Sequence, residues 1–348
     1  MSPPKAATGP AGRRHTAAIL GCSGPRLTPD EAAFFREADP WGFILFARNV
    51  DTPAQLRRLT TDLREAVGRD AAVLTDQEGG RVQRLRAPHW REWPPPLDQS
   101  LRLAGPDLER GFWLRYRLIA SELAAVGIDT CCAPSGDIAG PATHPFLRNR
   151  CLGSDPQAIV RAARASAAGL LAGGVLPVTK HMPGHGRAAE DSHHEPPRVA
   201  APADELRQTD FAVFAALADL PFGMTGHVVI DAIDPSRAAT VSPAVISFIR
   251  GEIGFGGLLS TDDLSMEALG GSIGDRAAAA IAAGCDLALH CNGKRPEMEV
   301  VVSAAGPMTD AAVTWASRAL GLRGRAEPID PEALDVEFQA LMMTRADG

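Results

Sequence analysis

Two short polar segments carry the side chains best suited to acid–base and nucleophilic chemistry. In the first, residues 180–193, the motif KHMPGHG is followed after four residues by DSH. The second is the run STDD at 260–263. Each follows an apolar run typical of a buried strand, so both lie at strand ends, where loops bring titratable groups into a common cleft. The sequence therefore predicts a site in which a carboxylate faces an Asp–His pair.

Asp262 is the candidate nucleophile of the second segment. A carboxylate at a strand end can attack the anomeric carbon of a sugar and stabilise the positive charge of the transition state. The structural alternative is that one of the two adjacent aspartates, Asp262 or Asp263, caps the turn that leads into residues 264–266. The residues alone leave both interpretations open.

Asp191 and His193 form the candidate proton-transfer pair. Because they lie two positions apart, the aspartate can accept a hydrogen bond from one ring nitrogen and leave the other for proton transfer. The alternative is a surface loop with solvated polar groups. Pro183, Gly184 and Gly186 rule out a regular helix and indicate a mobile loop, so we expect His193 to approach the site only when substrate binds.

The basic residues allow two interpretations. Lys180, Arg84 and Arg150 are either ion-pair partners of Asp76 and Glu78 or a set that grips sugar hydroxyls at a strand-end cleft.

The histidines also allow a second hypothesis, a zinc site. Candidate ligands are His181, His185, His193 and His194. However, the spacing from 181 to 185 spans a Pro-Gly pair and cannot lie on one helix face, and there is no HExxH pattern. We therefore predict no metal and no other cofactor.

The elements that must position these groups alternate regularly along the chain. Apolar, strand-like runs lie at 17–20, 42–46, 71–75, 129–133, 175–180, 222–228, 257–262 and 286–291. Helical patterns lie between them at 28–38, 53–68, 107–127, 157–173, 204–219, 243–251 and 274–284. Thr28, Thr52 and Ser242 each precede a proline, which is typical of a capped helix start. About eight strand–helix units predict an α/β fold, a single-domain (β/α)8 TIM barrel, over a doubly wound open sheet.

The composition of the chain indicates the bounds of its domain, its partners and its location in the cell. Residues 1–14 are rich in Pro, Gly, Ala and Arg and predict a disordered tail, so the barrel with its C-terminal helices occupies 15–348.

The net charge is −7 with both signs interspersed, which argues against nucleic acid or an anionic membrane as partner. No apolar run is long enough for a membrane span, and no signal peptide is recognised, so we expect a cytoplasmic protein and favour a monomer. Six cysteines without CxxC spacing predict buried free thiols.

Five ordered motifs closely resemble glycoside hydrolase family 3, specifically its bacterial single-domain β-N-acetylhexosaminidase branch. They cover roughly residues 17–295 and read GFILFARN at 42–49, DQEGGRVQR at 76–84, KHMPGHG at 180–186, DSH at 191–193 and STDDLSM at 260–266. Met182 stands where the family usually has phenylalanine, a departure that removes no catalytic group.

The resemblance implies a TIM barrel and a retaining, two-step mechanism. It places the nucleophile on Asp262 and the acid/base on His193 with Asp191 as its partner. It places sugar binding on Asp76, Arg84, Arg150, Lys180 and His181. The implied substrate is a muropeptide or related amino sugar, GlcNAc linked to 1,6-anhydro-N-acetylmuramic acid with or without a peptide, in cytoplasmic peptidoglycan recycling.

Other activities stay open at this point. A β-N-acetylglucosaminide phosphorylase is one alternative, because a histidine acid/base tolerates phosphate better than a carboxylate does. A β-glucosidase of the same family is another, although such enzymes generally take their acid/base from a second domain that we do not expect here. Attack by the N-acetyl group of the substrate is the mechanistic alternative to a covalent intermediate on Asp262.

Overall fold

The computed structural model describes residues 14–188, 197–324 and 326–343. Residues 1–13 of the predicted tail and the candidate pair Asp191 and His193 lie outside these ranges. The strands of the described chain are β1 (Thr16–Gly21), β2 (Pro40–Leu45), β3 (Ala72–Thr75), β4 (Gln77–Gly79), β5 (Val82–Gln83), β6 (Thr130–Cys131), β7 (Leu176–Pro177), β8 (Thr179–Met182), β9 (Arg198–Val199), β10 (Phe222–Thr225), β11 (Val229–Ile230), β12 (Asp234–Ala238), β13 (Leu258–Asp263) and β14 (Leu287–His290). Its helices are α1 (Pro29–Ala38), α2 (Pro53–Val67), α3 (Pro96–Ser100), α4 (Gly105–Ala124), α5 (Pro145–Arg148), α6 (Pro156–Ala172), α7 (Ala203–Gln208), α8 (Asp210–Ala215), α9 (Pro243–Gly251), α10 (Ile273–Ala283), α11 (Arg295–Ala305), α12 (Asp310–Leu320) and α13 (Pro331–Met343).

The main sheet is a nearly closed barrel of parallel strands. Its order is β7-β6-β3-β2-β1-β14-β13-β10-β8, and each neighbouring pair is parallel. The two edge strands, β7 and β8, are halves of the single predicted run 175–180. They are separated at Val178, whose N–H donates to the carbonyl oxygens of Cys131 (3.0 Å) and Ala133 (2.9 Å). The (β/α)8 barrel prediction is confirmed, and the open doubly wound sheet is excluded.

The predicted helix starts are capped as expected. The side chains of Thr28, Thr52 and Ser242 each accept an N–H from the first turn of α1, α2 and α9, and each is followed by a proline at the start of the helix. A cap of this kind stabilises a helix by about 1 kcal/mol. At its other end, α2 stops at Gly68, whose φ of 66° is a left-handed conformation that favours glycine.

One predicted helix differs from the structure. The pattern at 204–219 predicts a single helix, but the structure divides it into α7 and α8 at Thr209, where φ is −124° and ψ is −94°. Arg187 accounts for the break, because its guanidinium donates to the hydroxyl of Thr209 (3.0 Å) and to the carboxylate of Asp210 (2.6 Å). The break therefore helps to hold the segment that follows β8.

The helices shield the outer face of the barrel. In α2, Leu56, Leu59 and Leu63 are buried at helical spacing, and each leucine taken out of water contributes roughly 1.5–3 kcal/mol. Every residue of β2 is buried because helices cover one face of the strand and the packed interior of the barrel covers the other. This double burial explains why the strands appear in the sequence as continuous apolar runs.

The C-terminal helix α13 packs on α4. Its Phe338 contacts Trp93, which opens the Pro-rich segment WPPPL at 93–97. The two rings meet edge to face, with their centroids 5.3 Å apart. Trp93 is buried there and does not line the cavity described below.

Two sequence predictions concern the whole molecule. All six cysteines are buried free thiols, as predicted. In the described ranges, no helix is long and apolar enough to cross a membrane.

Candidate functional site

The predicted polar residues meet at the carboxyl-terminal ends of the barrel strands, around a cavity of about 200 Å³. The strands supply apolar side chains and the polar residues Lys180 and His181 of β8 and Asp262 and Asp263 of β13, and the segments after the strands supply the rest of the lining. The cavity is lined by Ile44, Phe46, Asp76, Val82, Arg84, Phe146, Arg150, Lys180, His181, Met224, Asp262, Asp263, Met266, Leu289 and Cys291. All predicted site residues that the structure describes are in this set.

The two adjacent aspartates of β13 have different surroundings. The carboxylate of Asp263 accepts the N–H (3.0 Å) and hydroxyl (2.6 Å) of Ser265 and the N–H of Cys291 (3.1 Å). Asp262 accepts the N–H of Asp263 on Oδ1 (2.7 Å), and its Oδ2 lies 4.0 Å from Nε2 of His181. Asp263 is thus the turn-capping residue, and Asp262 keeps one carboxylate oxygen for the cavity.

The surroundings of Asp262 favour the anionic form of its carboxyl group. Burial raises the pKa of its carboxyl group, but the N–H of Asp263 and the charge of Lys180 act against burial, and the pKa lies below its usual value. An anionic oxygen without a lysine or arginine partner in the described chain is what an attacking carboxylate requires.

Three cations and two carboxylates form an ion-pair array on one wall. Lys180 donates to Asp76 (2.8 Å) and to Glu78 (2.6 Å). Arg84 donates to the other oxygen of Asp76 (2.7 Å), and Arg150 binds both oxygens of Glu78 (3.0 and 2.8 Å). The two interpretations of these residues are therefore compatible, because the ion pairs hold the cations at the cavity wall.

The array keeps its charges despite being buried. Burial raises the pKa of the Asp76 carboxyl, but Lys180 and Arg84 hold it well below its usual range. Burial lowers the pKa of Lys180, and the two carboxylates beside it hold it well above its usual range. Such fixed charges need no rearrangement when a polar ligand binds.

Asp137 orients His181. Its Oδ2 accepts from Nδ1 of His181 (2.6 Å), and Nε2 of the same ring lies 3.3 Å from the guanidinium of Arg150. Since an arginine can only donate, these partners assign the proton to Nδ1 and a lone pair to Nε2. His181 thus presents a hydrogen-bond acceptor to the cavity beside Asp262.

His227 steadies the strand end that carries Asp262. Its Nε2 donates to the backbone carbonyl of Asp263 (2.9 Å), so its Nδ1 accepts from the hydroxyl of Thr240 (2.8 Å). Burial lowers the pKa of His227, which favours this neutral form.

The segment 183–188 is anchored at both ends. The backbone N–H of His185 donates to Asp137 (2.7 Å), and the guanidinium of Arg187 donates to Asp210 (2.6 Å). At Gly186 a Cβ would clash with the backbone of Ile138, so close packing explains this glycine, which the sequence analysis attributed to mobility. Burial lowers the pKa of the His185 ring to about 4. Residues 189–196, with Asp191 and His193, follow this anchored segment and lie outside the described residues.

Sequence reasoning missed Asp137, which follows β6 in the loop after the fourth barrel strand, where only residues near Arg150 were considered. The available signal was position, since Asp137 is a carboxylate beyond the end of a barrel strand. Glu78 is an ion-pair partner, as one of the two interpretations of the sequence has it. No group of three His, Cys, Asp or Glu residues within the described ranges is arranged to hold a metal ion.

Comparisons with known proteins agree with the barrel fold and with the family resemblance of the sequence. Residues 30–318 match the family model described as glycosyl hydrolase family 3 N terminal domain. The beta-hexosaminidase of Alkalilimnicola ehrlichii is 38% identical over 283 residues, 79% of this chain and 80% of that protein. The beta-hexosaminidase of Pseudomonas aeruginosa is 35% identical over 311 residues, 88% of this chain and 90% of that protein. The crystal structure of NagZ from Neisseria gonorrhoeae in complex with N-trifluoroacetyl-D-glucosamine superposes with a TM-score of 0.80 at 28% identity, covering 95% of this chain and 97% of that one.

Proposed function

The chain belongs to glycoside hydrolase family 3, and from that premise we propose that it is a retaining exo-β-N-acetylglucosaminidase. It removes a non-reducing terminal, β-linked GlcNAc through a covalent glycosyl–enzyme intermediate on Asp262. The relatives named beta-hexosaminidase support the amino-sugar class of substrate. The observation that carries the proposal is the anionic Asp262, whose Oδ2 faces a cavity and has no lysine or arginine partner in the described chain.

The size of the cavity supports removal of one sugar at a time. Its volume of about 200 Å³ lies below the roughly 300–1,000 Å³ of pockets that take larger ligands. A single sugar ring fits this scale, and a chain of sugars does not. The glycosidic bond of a terminal residue would therefore lie at the mouth of the cavity, beside Asp262.

One wall of the cavity offers groups that bind sugar hydroxyls. Asp76 is an acceptor, Lys180 and Arg84 are donors, and Nε2 of His181 becomes an acceptor when a sugar hydroxyl takes the place of the Arg150 N–H. The buried Nε of Arg84 has no hydrogen-bond partner in the described chain, and a buried donor without a partner is costly unless a ligand satisfies it. This array would fix the sugar so that its anomeric carbon faces Asp262.

Proton transfer is proposed for His193, with Asp191 as its partner. In the first step, Asp262 attacks the anomeric carbon while cationic His193 gives its proton to the departing oxygen. In the second step, neutral His193 removes a proton from water, which displaces Asp262. A histidine here avoids a second negative charge beside the nucleophile, which would otherwise raise the pKa of one carboxyl group.

We further propose that the natural substrates are cell-wall muropeptides, GlcNAc linked to 1,6-anhydro-N-acetylmuramic acid with or without a peptide, in the cytoplasm. The sequence resemblance to the peptidoglycan-recycling branch supports this assignment. The structural similarity to an enzyme bound to an N-acylated glucosamine analogue supports the sugar.

The test is hydrolysis of nitrophenyl β-GlcNAc and nitrophenyl β-glucose side by side, with and without phosphate. We expect release of nitrophenol from the GlcNAc substrate alone, at a rate independent of phosphate. Preference for glucose would contradict the proposed substrate, and a phosphate requirement would identify a phosphorylase. A 2-fluoro sugar that labels a residue other than Asp262 would contradict the covalent mechanism.

A further inference from the structure

The rim of the cavity contains apolar side chains that the proposed chemistry does not use. Phe146 of α5 is 55% exposed, and Met266, beyond β13, is 37% exposed. Both line the cavity, whereas Met224 and Leu289 on its floor are buried. Large apolar side chains left exposed at the edge of a polar cleft are typical of a ligand contact.

An arginine that does not itself line the cavity is fixed against the rim residue Phe146. The guanidinium of Arg81 lies over the ring of Phe146, with its carbon 3.3 Å from the ring centroid. It also donates to the backbone carbonyl of Phe146 (2.6 Å). Arg81 therefore has a defined position although it is exposed.

The charge of Arg81 is not neutralised by a carboxylate within the described ranges. In this it differs from Arg84 and Arg150, which form ion pairs with Asp76 and Glu78. Within the described ranges its guanidinium donates to a carbonyl oxygen, that of Phe146, so most of its N–H donors are left for a ligand.

We propose that Arg81 and Phe146 form an outer subsite that binds the leaving group of the substrate and favours a leaving group that carries a carboxylate. The proposal rests on the proposed function, because a terminal sugar held against Asp262 leaves the rest of the glycoside on the rim. The ring of Phe146 offers an apolar surface to the C–H groups of a second sugar. The guanidinium of Arg81 offers the paired donors that a carboxylate accepts.

The outer subsite acts in only one half of the reaction. The leaving group departs when the glycosyl–enzyme forms, so its contacts influence kcat/KM, which includes that step. They have no influence on the later attack of water, because the leaving group has gone. A substrate limited by the second step therefore keeps its kcat when the outer subsite is damaged.

The experiment compares Arg81→Gln with Arg148→Gln in the full chain. Arg148 is a matched control, since it is an exposed arginine on the same helix as Phe146 and donates to the carbonyl of Gly140 (2.8 Å). Like Arg81 it lies outside the set of residues that line the cavity, but in the described chain the guanidinium that stacks on the Phe146 ring is that of Arg81. The substrates are nitrophenyl β-GlcNAc and two GlcNAc disaccharides that differ only in whether a carboxylate on the second sugar is free or converted to its amide.

We expect Arg81→Gln to lower kcat/KM for the acidic disaccharide about tenfold, as for loss of one charge-assisted hydrogen bond. The amide and the nitrophenyl substrate should change by less than about twofold. Arg148→Gln should keep the wild-type ratio of acidic to amide disaccharide. Phe146→Ala should lower kcat/KM for both disaccharides, and at least as much for the acidic one, because the ring also holds Arg81 in place.

Two results would overturn the proposal and are distinguishable. If wild type and Arg81→Gln show the same ratio of acidic to amide disaccharide, the outer subsite is wrong while the proposed function stands. If the wild type releases GlcNAc from none of the three substrates, the proposed function and the outer subsite both fail.

Discussion

The two ends of the barrel use arginine and aspartate in opposite ways. At the amino-terminal ends of the strands, Asp129 binds both Arg64 (2.9 Å) and Arg323 (2.5 Å). Arg64 also donates to the carbonyl oxygens of Ala71 (3.1 Å) and Gly127 (2.8 Å). These bonds end on the protein itself, so they tie the loops before β3 and β6 together.

At the carboxyl-terminal ends, the same residue types line a cavity. Asp76 is again shared by two cations, Arg84 and Lys180. Here, however, the Nε of Arg84 has no partner in the described chain, and Asp262 keeps an oxygen without a cationic partner. Buried ion pairs alone therefore do not identify a functional site. What distinguishes the two ends is whether polar groups are left for a ligand.

The sharpest test of this difference concerns the two adjacent aspartates. Asp262→Asn should lower kcat/KM for nitrophenyl β-GlcNAc by about 10,000-fold, because an amide cannot act as the nucleophile. Its thermal unfolding should change little, since Asp262 has no lysine or arginine partner among the described residues. Steady-state kinetics and Tm measured on the same preparation check both statements.

Asp263→Ala is the matched control for that variant. It removes three hydrogen bonds to Ser265 and Cys291, so it should lower the free energy of unfolding by about 1–3 kcal/mol. Its kcat/KM should fall far less than that of Asp262→Asn. Near-wild-type turnover by Asp262→Asn would remove the nucleophile from the proposed mechanism.

The second test exchanges one arginine at each end for alanine. Arg64 and Arg84 are similarly buried, with 19% and 22% of the side chain exposed, and each shares its aspartate with a second cation. Arg64→Ala should lower the free energy of unfolding by about 3 kcal/mol and leave kcat/KM unchanged. Arg84→Ala should lower stability by only about 1 kcal/mol and kcat/KM by about 100-fold.

Denaturant unfolding and steady-state kinetics on both variants give the result directly. If Arg64→Ala loses activity while Arg84→Ala loses mainly stability, the assignment of the two ends is reversed.

Features that depend on neighbouring residues could be predicted from the sequence, and features that depend on contacts between distant residues could not. The strands and most helices were predictable because alternating apolar runs, caps and terminal glycines are local signals. The division of 204–219 into α7 and α8 was not, because it depends on Arg187, which lies outside that segment. The residues alone did not separate Asp262 from Asp263: the family resemblance placed the nucleophile on Asp262, and the structure adds that the two neighbours have different hydrogen-bond partners.

Asp137 is a site residue whose role could not be predicted from the sequence, because its partners lie far from it in the chain. It is fully buried, like a structural carboxylate, but its partners are the ring of His181 (2.6 Å) and the backbone of His185 (2.7 Å). In Asp137→Asn, an amide can accept only through its oxygen, so one of these two bonds is lost. If the bond to Nδ1 of His181 is the one lost, the ring is free to turn or to move its proton to Nε2, which then no longer accepts from a sugar.

We expect Asp137→Asn to lower kcat/KM about tenfold, mainly through a higher KM, because in the proposed mechanism His181 binds the sugar and does not transfer the proton. Ser135→Ala is the control, since it removes a hydroxyl that donates to Asp137 (3.1 Å) but leaves the carboxylate in place. That variant should stay within about twofold of wild type. A lower Tm with unchanged KM and kcat in Asp137→Asn would place Asp137 with the structural network at the other end of the barrel, because a residue that positions His181 for the sugar must change the binding of substrate.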